Sequence, residues 1–136
     1  ILDDLGAGPA LEWLGARVAR RAGTDIRVEV LTTDRPPRAV ELAVYRVAQE
    51  AIVNAVKHGA APVLVRYQAG THEALLTIDD AGPGLPDAVT AVARSDGRLG
   101  LVSMAQRAEA VGAELVLDRS ASGGAHVGLR WSEAGA

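Results

Sequence analysis

One stretch constrains this chain more than any other: Glu41 to His58, ELAVYRVAQEAIVNAVKH. Its apolar spacing predicts a single helix. At about 100° per residue, Val44, Val47, Ala48, Ala51, Ile52 and Ala55 gather on one side. Arg46, Glu50, Asn54 and Lys57 fall together on the other, with His58 beside them. The apolar side needs a second layer of structure to lie on. The polar side carries a carboxylate, a neutral amide and an ammonium rather than charges spaced only for i,i+4 pairing. A carboxylate and an amide one turn apart can hold a hydrated Mg²⁺ and orient a proton or a water. The solvated face of an ordinary amphipathic helix would show the same letters, and periodicity alone does not choose between the two.

Composition narrows the possibilities. The 136 residues suffice for one domain with a genuine core. Apolar residues make up 49% of the chain, yet Phe is absent. The core must therefore be built from Val, Leu, Ile and Ala, with Trp13, Tyr45, Tyr67 and Trp131 as the large rings. A net charge of -3 argues against a nucleic-acid or anionic-membrane footprint. No cysteine is present, so disulfides and thiolate metal sites are excluded. No apolar run approaches the length of a membrane span, and no signal-peptide pattern opens the chain. The start without Met suggests a piece of a longer protein, the piece itself expected to be cytoplasmic and its parent either cytosolic or membrane-anchored. Of the 14 Lys and Arg residues, all but Lys57 are Arg. A compact point charge there suits phosphate, as chance also would.

Residues 1–9 read as a linker or junction, with Gly6, Gly8 and Pro9 as breakers, before a domain at 10–132 and a frayed tail at 133–136. Leu11, Trp13, Leu14 and Val18 predict a helix stopped at Gly23. Residues 26–31 alternate as a half-buried strand should, and a loop ends at the pair Pro36-Pro37. The central helix follows, capped at Gly59. Residues 62–68 and 73–79 predict a hairpin, with His72 exposed in the turn. Residues 80–100 form a long connection rich in Gly and Pro, with room for one short helix near 87–93; such loops are commonly lids. A helix over 99–111 stops at Gly112, and strands 114–118 and 125–131 close the chain. This order predicts an α+β, two-layer sandwich: a mixed, mostly antiparallel sheet under about three helices.

Three features carry chemistry. The first is Glu50-x-x-x-Asn54 with Lys57-His58 a turn later. The second is Asp80-Ala81-Gly82-Pro83-Gly84 straight after a strand, and the third is Gly100-Leu101 opening a helix. A buried Asp at a strand end can accept a hydrogen bond from an exocyclic amine. Glycines let backbone approach a flat ligand, and a helix N-terminus presents N–H groups to phosphate. Neither a Walker-type phosphate loop nor a GxGxxG fingerprint is present.

In this order and spacing the three resemble the ATP-binding catalytic domain of sensor histidine kinases, within the gyrase, Hsp90, histidine kinase and MutL superfamily. YRVAQEAIVNAVKHG, DDAGPG and GLVSMAQRAEAVGAEL look most like the subfamily paired with helix-turn-helix response regulators. The opening LDDLGAGPALEWL is similar to that subfamily's junction with its dimerisation helices. The resemblance implies that Asn54 ligates Mg²⁺ and ties it to the triphosphate. Glu50 would be catalytic, polarising the attacking group or a metal-bound water. Lys57 and His58 would lie near the phosphates. Asp80 would read adenine in a pocket shaped by Gly82 and Gly84, and Gly100 and Leu101 would close the lid's far end. The γ-phosphoryl would pass to a histidine on a separate dimerisation domain, then to a response regulator.

Two departures from the family pattern stand out. Arg98 occupies a place where the subfamily usually has glycine; it either touches phosphate or is solvated. Ala125 replaces a threonine near the adenine-reading Asp. None of His58, His72 and His126 sits in an acceptor context, so the chain should bind ATP without being a complete autokinase, and without dimer-forming helices it is expected to be a monomer. Two alternatives remain at this level: a serine kinase of the anti-sigma-factor type, and a nucleotide-sensing module without turnover.

Overall fold

The structure, a computed structural model, describes residues 2–58, 61–82, 98–119 and 124–133. Among these residues there are four helices and five strands: α1 (Leu2–Leu5), α2 (Ala7–Ala22), β1 (Ile26–Thr32), α3 (Arg38–His58), β2 (Val63–Ala69), β3 (Glu73–Asp79), α4 (Arg98–Ala110), β4 (Glu114–Arg119) and β5 (Ala125–Ser132). The strands form one sheet in the order β1-β2-β3-β5-β4. Among the described strands, only β1 and β2 pair in parallel. A parallel pair needs a crossover, and α3 supplies it.

The register explains why one face of the sheet is covered. Val28, Val65, Ile78, Val127 and Leu117 form one row across the full width, and Val30, Tyr67, Leu76, Leu129 and Leu115 form the next. The three central strands bury these positions completely or nearly so. The alternate row on the other face, Glu29, Arg66, Thr77, Gly128 and Val116, is polar or small for most of its length. That alternation makes a two-layer sandwich, as the sequence predicts. Helix α3 packs on β3 and β5, α2 on β1, and α4 on β4 and against α3. Among the described residues, no helix is long and apolar enough to cross a membrane.

The central helix begins three residues earlier than its apolar pattern suggests. The Pro37 carbonyl accepts from the amides of Val40 (3.0 Å) and Glu41 (3.1 Å), so winding starts directly after the proline pair. Proline suits a helix entrance because the amide it lacks would be unpaired there anyway. Gly23 and Gly112 stop their helices as expected, both in the left-handed region at φ 64° and 69°. Gly59 lies outside the described residues.

Within residues 2–9 the structure departs from the sequence expectation at two of the expected breakers. Gly8 and Pro9 do not break structure but sit inside the first turn of α2. Gly8 lets the helix lie close on β1, since a Cβ there would stand 2.8 Å from Val30 Cγ1. Gly15 repeats this two turns later, where a Cβ would stand 2.5 Å from Val28 Cγ2. Gly6, at φ 89°, provides no side-chain cap. The cap comes from α3 instead: Glu41 Oε2 accepts from the Ala7 amide at 3.0 Å.

Arg35 completes this junction. Its guanidinium bonds Glu41 at 2.7 Å and reaches the carbonyls of Leu2, Asp3 and Asp4 at the end of α1. Arg38 adds an exposed pair with Asp3 at 2.9 Å. A cavity of about 130 Å³ opens beside them, lined in part by Gly6, Arg35, Glu41 and Tyr67. The Tyr67 hydroxyl is buried and has no hydrogen-bond partner among the described residues. Its burial, reinforced by the nearby Glu41 carboxylate, pushes the phenol well above its ordinary pKa.

Glu133 is held rather than frayed. Its amide donates to the His72 carbonyl at 2.9 Å, and its carboxylate pairs with the His72 ring.

Candidate functional site

Helix α3 separates its residues as its periodicity demands. Val44, Val47, Ala48, Ala51, Ile52 and Ala55 are buried against the sheet. Glu50 and Asn54 are half-buried at the margin of that face, one turn apart, while Arg46 and Lys57 are exposed. Arg46 is occupied by Gln49, at 3.1 Å. Among the described residues, Glu50 and Asn54 make no side-chain hydrogen bond or ion pair. A half-buried carboxylate and carboxamide without structural partners are suited to meeting a ligand. His58 ends the helix.

The consecutive aspartates at the end of β3 part company. Strand alternation sends Asp79 to the open face, where it meets His126 Nδ1 at 2.6 Å on the paired strand β5. Asp80 continues the row of Ala74, Leu76 and Ile78, which faces the helices, and is only 5% exposed. A carboxylate buried this deeply needs donors. Its Oδ1 accepts from the amides of Gly82 at 2.8 Å and Ala125 at 3.2 Å. The Asp80 amide in turn donates to the Ala125 carbonyl at 3.0 Å.

Asp80, Gly82 and Ala125 are therefore brought together in one hydrogen-bonded cluster at the end of β3 and the start of β5. Ala125 carries no side-chain hydroxyl, yet its backbone serves Asp80 directly. Gly124, to which the sequence reading gave no role, belongs to the same cluster: a Cβ there would lie 2.0 Å from the Asp80 carbonyl oxygen. Its only advance signal is a glycine pair immediately before a strand. Arg98, Gly100 and Leu101 form the first turn of α4, so Arg98 belongs to the helix rather than to the preceding loop. Gly84 and the short helix expected near 87–93 lie outside the described residues.

Comparison with known proteins gives a consistent picture. The profile described as histidine kinase-, DNA gyrase B- and HSP90-like ATPase matches residues 39–134. Sensor histidine kinase NarS of Mycobacterium tuberculosis is 32% identical over 118 residues, covering 85% of this chain and 27% of that protein. Sensor histidine kinase MctS of Rhizobium johnstonii is 33% identical over 125 residues, covering 90% of this chain and 27% of that protein. The chain thus spans about a quarter of the curated relatives it matches. Among solved structures, the ATP binding domain of PrrB from Mycobacterium tuberculosis superposes with a TM-score of 0.69 at 29% identity, covering 92% of each chain. Full-length ShkA in complex with AMPPNP gives 0.67 at 20% identity, covering 91% of this chain and 29% of that one, a likeness of fold.

Proposed function

The chain belongs to the histidine kinase-, DNA gyrase B- and HSP90-like ATPase family, and from that premise we propose that it is the ATP-binding catalytic domain of a two-component sensor histidine kinase. It would donate the γ-phosphoryl of ATP to a histidine on a separate dimerisation domain, with a helix-turn-helix response regulator downstream. The observation that carries this reading is Asp80, a carboxylate buried at a strand end and fixed by backbone amides. Such a group suits a flat base with an exocyclic amine rather than a solvated cation.

The donor chemistry on α3 fits a hard divalent ion. The Asn54 carboxamide is a neutral oxygen ligand of the kind Mg²⁺ accepts while keeping waters. Mg²⁺ bound with ATP would neutralise triphosphate charge, and Asn54 would hold it. Glu50, one turn earlier, accepts a proton from or orients the attacking group. Lys57, exposed at the helix end, supplies positive charge for the phosphates, with His58, Arg98, Gly100 and Leu101 bordering them. Gly82 and Gly84 shape the adenine pocket. Catalysis in such a site is mostly positioning and charge neutralisation.

Titration of a fluorescent ATP analogue with and without Mg²⁺ tests the assignment. Asp80→Asn should abolish binding under both conditions, whereas Asn54→Asp should remove the Mg²⁺-dependent part. Equal affinity in the parent chain and Asp80→Asn would remove the adenine assignment.

A further inference from the structure

We propose that Gly124 is a positioning residue for base recognition, acting through the Asp80 carboxylate. The inference rests on the reading of Asp80 as the adenine contact and adds a requirement at a position outside the Glu-Asn helix and the Asp80-x-Gly82-x-Gly84 motif.

The geometry is specific. A Cβ on Gly124 would stand 2.0 Å from the Asp80 carbonyl oxygen and 2.5 Å from both its carbonyl carbon and Oδ1. Two of those atoms are backbone, which cannot rotate away as the tip of a flexible side chain can. The close approach lets the next residue, Ala125, place its amide 3.2 Å from Oδ1 while its carbonyl takes the Asp80 amide at 3.0 Å. From the other side the Gly82 amide holds the same oxygen at 2.8 Å. A carboxylate is planar, so fixing Oδ1 between two rigid donors also fixes the direction of the second oxygen. Any side chain at 124 must push β5 and the end of β3 apart, lengthening the Ala125 bond and turning the carboxylate.

The expected consequence is a loss of discrimination rather than a uniform loss of affinity. Purine riboside 5′-triphosphate lacks the exocyclic amine of ATP but keeps the sugar and phosphates. Competition of each against a fluorescent ATP analogue, in Mg²⁺, reads the ratio of their dissociation constants. The parent chain should prefer ATP by about tenfold or more, as loss of a hydrogen bond to a charged acceptor implies. In Gly124→Ala the preference should fall to within about twofold of none, with purine riboside triphosphate bound about as well as before.

Ala125→Pro provides the second arm should Gly124→Ala fail to fold. Ala125 is the first residue of β5, and its amide serves the Asp80 carboxylate. Proline is tolerated at a strand start, so this change removes the donor while leaving the carbonyl. It should cause the same collapse of preference. A parent chain without preference for ATP would overturn the adenine reading itself, and this inference with it. A parent chain that prefers ATP, together with variants that keep its ratio, would overturn the role of Gly124 alone.

Discussion

The Glu41 carboxylate caps a helix that begins 34 residues before it, accepting from the Ala7 amide at 3.0 Å while Arg35 bonds it from the other side at 2.7 Å. Glu41 is 3% exposed, so this anion is held by a helix N-terminus and a guanidinium rather than by water. Glu41→Ala should therefore lower stability by about 2 kcal/mol, less than for a wholly buried pair because Arg35 keeps contact with solvent. Urea denaturation reads the difference, and a change below about 0.5 kcal/mol would mean that the cap contributes little.

Tyr67 has the opposite status. Its buried hydroxyl lacks a partner among the described residues, so Tyr67→Phe should leave stability at neutral pH unchanged or raise it by up to about 1 kcal/mol. The raised pKa of the phenol also has a sign. Its contribution is complete below about pH 10 and is lost as pH rises, because the unfolded chain ionises first. The phenylalanine variant should lose less stability than the parent between neutral pH and about pH 11. A loss of more than 1 kcal/mol at neutral pH would instead imply an internal water bonded to the hydroxyl.

Asp34 gives the acid counterpart. The Arg35 amide and then the Thr71 hydroxyl, at 2.8 Å and 2.9 Å, hold its carboxyl below the ordinary carboxylate pKa. A depressed folded pKa contributes stability above the unfolded value, near pH 4, that is lost as pH falls through the folded one. Asp34→Asn should lower the melting temperature at pH 7, and the gap from the parent should close in acid. A gap independent of pH would show that charge is not the cause.

Gly15→Ala sets two effects against each other. Alanine improves helix propensity by about 1 kcal/mol. The added methyl, however, meets Val28 Cγ2 at 2.5 Å, and overpacking of this kind costs about 1–3 kcal/mol. Net destabilisation of about 1 kcal/mol is expected by thermal melting, whereas stabilisation would mean that α2 moves off β1 freely.

What could be read in advance was whatever repeats locally. The helix periodicity of residues 41–58 and the alternation in 26–31, 62–68 and 73–79 require no knowledge of partners, and all four elements are present. Strand parity sends the Asp79 and Asp80 side chains to opposite faces, which the sequence reading did not use. The junction was not legible, because its cap comes from a distant residue: Gly8 and Pro9 look like breakers until Glu41 arrives, whereas Gly6 does separate α1 from α2. Gly124 was missed for a related reason, as its constraint is set by backbone from another strand. Glu50 and Asn54 could be placed on one helix face, but no local pattern specifies what lies opposite them.

Helix α3 joins two parts of the protein that are far apart. Its first turns grip the ends of α1 and α2 through Arg38 and Glu41, and its second half carries Glu50, Asn54 and Lys57. From Glu41 to Asn54 the rise is about 20 Å, along a rod whose apolar side is packed throughout. Because that side is buried from Val44 to Ala55, the two ends of the helix cannot shift independently of each other without opening the core.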